Sequence, residues 1–75
     1  MKNITTHTGE LKLIERLKNS TLGNPQFMLT CDGYKFRTPA NSMLGYKAQN
    51  YIGKNVRVNI GTHYGCLTLH SIFGE

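Results

Sequence analysis

Asp32-Gly33 lies between two strand-like runs, Gln26-Phe27-Met28-Leu29-Thr30-Cys31 and Tyr34-Lys35-Phe36-Arg37-Thr38. A dipeptide of this kind favours a type I′ turn, because both residues accept positive φ and the twist of the turn matches that of the flanking strands. The chain is therefore expected to form a hairpin here. A two-residue turn also fixes register, and register decides which side chains share a face. Alternation assigns Phe27, Leu29, Tyr34 and Phe36 to an interior. Met28, Thr30, Lys35 and Arg37 fall on the opposite face.

Elements of similar length surround the hairpin. Leu11 and Leu13 alternate with Glu10 and Lys12 as in a strand. Leu13-Ile14 interrupts that alternation, and a β-bulge there would bend the strand sharply. A helix over residues 10–18 competes, since Glu, Leu, Lys and Arg are good helix formers; the alternation favours the strand. Lys18 to Pro25 has loop chemistry, with Gly23 suited to positive φ and Pro25 biasing Asn24 toward extended backbone. Thr38-Pro39-Ala40-Asn41-Ser42 ends the hairpin and offers helix caps. Leu44, Ala48, Tyr51 and Ile52 then form one helical stripe, ended by Gly53. Gly45 inside it costs about 1 kcal/mol relative to Ala, which keeps the expected helix short. Lys54 to Ile60 alternates cleanly, with Val56, Val58 and Ile60 inward. Gly61 to Gly65 turns the chain. Cys66 to Phe73 closes it, with Leu67 and Leu69 inward and Phe73 the next candidate.

The order β-β-β-α-β-β, with a long bent first strand, predicts an all-β, five-stranded, OB-like Greek-key small barrel carrying one short helix. Its expected bounds are residues 9–75, after a flexible segment at 1–8. The expected interior is Leu11, Leu13, Phe27, Leu29, Tyr34, Phe36, Val56, Val58, Ile60, Leu67 and Leu69, with Leu44, Ala48 and Ile52 plugging one end. The rival is another small five-stranded barrel in which 42–52 form only a turn. A 75-residue chain buries only about 60–65% of its unfolded surface, which supports one thin core and no deep substrate cavity.

A formal charge of +5 and a pI near 9.5 favour phosphates or acidic surfaces as partners. The plain alternative is solubility, since strands carry Lys and Arg outward in any half-buried sheet. The candidate nucleic-acid contacts are Lys12, Arg16, Lys18, Lys35, Arg37, Arg57, His63 and Tyr64: cations for phosphates, His63 and Tyr64 for stacking on a base. One feature is missing from the predicted face. Single-strand binders stack bases on exposed aromatics, and the alternation turns Tyr34 and Phe36 inward.

Neither catalysis nor a cofactor is expected. The four acidic residues form no obvious pair, and Cys31 and Cys66 stand in apolar strand patterns where thiols are inert. Zinc would need Cys31, Cys66, His63 and His70, but Cys31 and Cys66 stand alone with no C-x-x-C pair. No apolar run reaches the roughly 18 residues that span a bilayer, and no apolar leader opens the chain. The expected setting is a reducing cytoplasm, the expected state a monomer or weak homodimer.

Asn19-Ser20-x-x-Gly23-Asn24-Pro25-x-Phe27, followed by Asp32-Gly33 and Arg37-Thr38, resembles a recurrent pattern in small proteins of tailed bacteriophages and prophages. The similarity runs from about Gly9 to Phe73, with Gln26 where the pattern often has Arg. It implies a phage or prophage origin and a host cytoplasm, and it brings no catalytic or ligand residue. It also implies a second class of function, binding of a host enzyme or defence protein, and a third, a minor structural or assembly role. Two readings of Asn19, Gly23, Asn24 and Pro25 stand: a loop held in a special conformation, or a recognition loop.

Overall fold

Asp32 and Gly33 adopt φ of 55° and 79°, the pair of positive values a type I′ turn requires. The computed structural model, which describes residues 2–40, 42–63 and 65–75, thus forms the hairpin expected from that dipeptide. Its strands are β3 (Gln26–Cys31) and β4 (Tyr34–Arg37), paired from Met28↔Arg37 to Cys31↔Tyr34. Around them lie β1 (Lys2–Glu10), β2 (Lys12–Leu17), the helix α1 (Leu44–Gln49), β5 (Asn55–His63) and β6 (Cys66–Gly74).

The six strands form one mixed sheet in the order β1-β5-β6-β4-β3-β2. Every ladder is antiparallel except β4–β6, which is parallel. This overturns the expected five-stranded closed barrel of OB type. Among the described residues no ladder joins β1 to β2, so the sheet is open. The physical cause is Leu11. Its N–H donates to Lys54 O (3.0 Å) and its carbonyl accepts from Gly53 N (2.8 Å). With both backbone groups satisfied by the helix–β5 connection, the expected single first strand becomes two strands at opposite ends of the order. One residue links them, so the sheet must curl until its ends share a corner. The strand begins at Lys2, inside the stretch expected to lie outside the domain. The bulge expected at Leu13-Ile14 is present, since β2 shifts register against β3 between Leu13 and Glu15.

The curl encloses Leu11, Phe27, Leu29, Cys31, Phe36, Val56, Val58, Ile60, Leu69 and Ile72, with Ala48 of α1 seated over them. Leu44, Tyr51 and Ile52 pack at the margin of this cluster. Of the predicted helical stripe, Leu44 and Ala48 belong to α1, whereas Tyr51 and Ile52 lie in the turn after it, so the helix ends before the expected Gly53. Ser42 Oγ accepts from Leu44 N (3.1 Å) at the start of the helix; the neighbouring cap candidate, Asn41, lies outside the described residues.

Three expected core residues are exposed instead: Leu13, Tyr34 and Leu67. Each has the inward parity but sits at a margin. Leu13 lies opposite Leu29 on the terminal strand β2, with no strand beyond it. Tyr34 follows the hairpin turn, and Leu67 is the second residue of β6. A fourth correction has a different cause. The partners of Asn59 and Ile60 are Ser71 and Leu69, so His70 is skipped. This bulge reverses parity along the rest of β6, burying Ile72 and turning Phe73 outward.

Candidate nucleic-acid interface

Register sets the candidate residues in rows across the outer face. Lys12, Thr30 and Lys35 are direct neighbours on β2, β3 and β4. The next row is Glu15, Met28, Arg37 and, across the parallel pairing, Thr68. Lys12 and Lys35 are exposed and Arg37 is half-buried. The hairpin turn thus brings Lys35 and Arg37 onto one face two positions apart, as the alternation predicts. Glu15 shares those rows, and Glu10 and Asp32 line a cleft together with Lys12 and Thr30.

Other candidates are used by the fold or lie apart. Arg16 is exposed but shares the parity of its partner Phe27 rather than that of Lys12, its guanidinium carbon 4.9 Å from the Phe27 ring centroid. It donates to the carbonyls of Leu17 and Gln26, the latter at 3.1 Å, and to Asn19 Oδ1 at 2.6 Å. Arg16 therefore fastens the following loop to β2. Lys18 is exposed just beyond that strand. His63, expected in a turn, ends β5 opposite Cys66; its companion Tyr64 lies outside the described residues.

The Asn19–Pro25 loop is built largely from its own polar groups. Ser20 N donates to Asn24 O (2.9 Å), Gly23 N to Ser20 O (2.8 Å) and Asn24 N to Ser20 Oγ (3.2 Å). Asn24 Nδ2 reaches Ala40 O at 3.0 Å, and Pro25 is buried against the helix at Gly45. These bonds favour the conformational reading of the motif.

Arg57 stands on β5 beside Phe73 of β6, roughly 15 Å along β6 from Thr68. Its guanidinium carbon is 5.2 Å from the Phe73 ring centroid, and Lys47 Nζ of α1 is 5.3 Å from the same centroid. Phe73 is 42% exposed. Reading the sequence missed both Phe73 and Lys47, the first because of the bulge and the second because it belongs to the helix. Among the described residues, none of Lys12, Lys35, Arg37, Lys47 and Arg57 is held by a carboxylate in an ion pair.

A second unforeseen cluster closes the corner where the sheet ends meet. The rings of His7 and Tyr34 stack at 4.0 Å between centroids. His7 Nε2 shares a hydrogen bond with Thr5 Oγ1 (2.8 Å), and its Nδ1 lies 3.8 Å from Asp32 Oδ2. Nearby, an open cleft of about 350 Å³ is lined by Gly9, Glu10, Lys12, Thr30, Asp32 and Gly33. It has no large apolar side chain of the kind that lines small-molecule pockets.

The candidate zinc set does not assemble. Cys31 is buried and Cys66 exposed, both as free thiols. Among the described residues no three His, Cys, Asp or Glu side chains are placed to hold a metal. No described helix is long and apolar enough to cross a membrane. Burial first, and the Asp32 carboxylate second, push the Cys31 thiol above its ordinary pKa of 9.0. Under native conditions an alkylating reagent should modify Cys66 promptly and Cys31 at least about a thousandfold more slowly, through unfolding. The folded chain also holds the Cys31 proton more tightly than the unfolded chain does. That contribution to stability is complete below about pH 9 and is lost as pH rises beyond it. Cys31→Ala should flatten this alkaline decline in a series of urea melts.

No protein-family model matches the chain, and no curated protein or solved structure does either.

Proposed function

We propose that the protein is a non-enzymatic binder of single-stranded nucleic acid, with the outer face of β2, β3 and β4 as the phosphate contact. The observation that carries this reading is the placement of Lys12, Lys35 and Arg37 in adjacent rows of one face, with no described carboxylate paired to any of them. Cations left without a carboxylate partner can neutralise phosphates and release the counterions condensed on a nucleic acid, so binding should weaken steeply with salt. The net charge of +5 adds long-range attraction of the same sign.

A labelled oligonucleotide titrated at several salt concentrations tests the reading. The double substitution Lys35→Glu plus Arg37→Glu should abolish binding at moderate salt. If each residue meets one phosphate, the slope of log K against log salt should fall by about 1.4. Failure of the unaltered protein to bind more tightly than about 100 μM at low salt, the weak end of non-specific affinity, would overturn the proposal. Stoichiometric capture of a protein from nuclease-treated lysate, with no retained nucleic acid, would replace it with a protein-binding role.

A further inference from the structure

Phe73 is an apolar ring in a polar setting. Its neighbours on the outer face of β5 and β6 include Arg57, Asn59 and Ser71. Solubility alone would be served at least as well by a polar residue here. The ring instead remains 42% exposed, with Arg57 and Lys47 each a little over 5 Å from its centroid. Cation–π attraction accounts for each cation singly. Two cations at one ring also repel each other, and neither forms an ion pair with a described carboxylate. A ligand offering both a flat π-face and a negative charge satisfies all three groups at once. A nucleotide within a strand is such a ligand: its base covers the ring while its phosphate meets Arg57 and Lys47.

We propose that Phe73, with Lys47 and Arg57, is a base-stacking position that makes the protein prefer unpaired nucleotides to a bare phosphate backbone. This rests on the reading of the outer face as a nucleic-acid contact and adds what the Lys12, Lys35 and Arg37 rows lack. β6 lies between β4 and β5 in the sheet. It therefore runs from the Arg37 row at Thr68 to the Phe73 cluster, roughly 15 Å away. A duplex hides its base faces within its own stack, so only a single strand can use the ring.

The test compares an oligothymidylate with an abasic oligomer of equal length and charge. Binding of the oligothymidylate should be about 5- to 150-fold tighter, the range that one stacked base supplies. Phe73→Leu should remove this preference, whereas Lys35→Glu plus Arg37→Glu should weaken both ligands and keep the preference. The chain contains no Trp, so Phe73→Trp provides a unique fluorophore. Its emission should be quenched by oligothymidylate and not by the abasic oligomer. Equal affinity of the unaltered protein for the two oligomers would overturn the stacking position while leaving the phosphate contact intact. Binding of neither at low salt would overturn both.

Discussion

Replacing Gly45 by Ala is expected to destabilise the domain, although helix propensity alone favours Ala by about 1 kcal/mol. A Cβ at position 45 would lie 2.0 Å from Pro25 O and 3.1 Å from Pro25 C. The obstacle is backbone, held by the hydrogen-bonded loop that precedes β3, and it cannot rotate aside as a side chain could. Either α1 lifts or the Pro25 segment moves, and both disturb Ala48, which is fully buried over the core. Overpacking of this kind costs about 1–3 kcal/mol, occasionally more. At about 4–8 °C per kcal/mol for a domain of this size, Tm should fall by roughly 4–24 °C. Gln49→Ala, on the exposed side of the same helix, should leave Tm nearly unchanged. An unaltered or raised Tm for Gly45→Ala would mean that the helix is not seated on Pro25.

Gly45 also illustrates what can be read without coordinates. Its presence in a helical stripe signals a short helix, and α1 is short; the reason for the glycine lies in a segment twenty residues away. Local chemistry decided the hairpin, since Asp32-Gly33 admits few other turns, and Lys35 and Arg37 follow from it by parity. The bulge at Ile14 was equally visible as two adjacent apolar residues. The bulge at His70 left a fainter mark. Leu67, Leu69 and Ile72 contain the skipped position, but Phe73 offers an equally apolar continuation of the unbroken pattern. The division at Leu11 leaves no mark, because alternation continues through it; only hydrogen bonds to Gly53 and Lys54 end the strand there. β1 was hidden for another reason. Its inward positions Thr5, His7 and Gly9 face Ile60, Val58 and Val56, so the apolar contribution comes from the partner strand and β1 shows no alternation of its own. For the candidate site, the outward cations were readable strand by strand. The meeting of Arg57, Lys47 and Phe73 was not, as it joins a helix to two strands through the His70 bulge.

Phe36→Ala and Tyr34→Ala should differ sharply, although the two rings belong to one strand and share its parity. Phe36 is 1% exposed and pairs directly with Leu29, which is fully buried, so truncation leaves a cavity at the centre of the core. Such a change costs about 3–5 kcal/mol, against a total stability of about 4–11 kcal/mol for a chain of this length. The variant should unfold at a much lower urea concentration, or be largely unfolded without urea. Tyr34 is 47% exposed and its ring rests on His7. Losing that contact forfeits an aromatic pair worth about 0.5–1.5 kcal/mol and a modest area of burial. Tyr34→Ala should therefore shift the urea midpoint by a fraction of the Phe36→Ala shift, with an unchanged m-value. Equal losses would place both rings in the interior, as simple alternation requires. They would also remove His7–Tyr34 stacking as the contact that holds β1 against the hairpin turn. The comparison thus separates a curled sheet whose ends meet through side chains at a corner from a core that runs unbroken to the end of the hairpin.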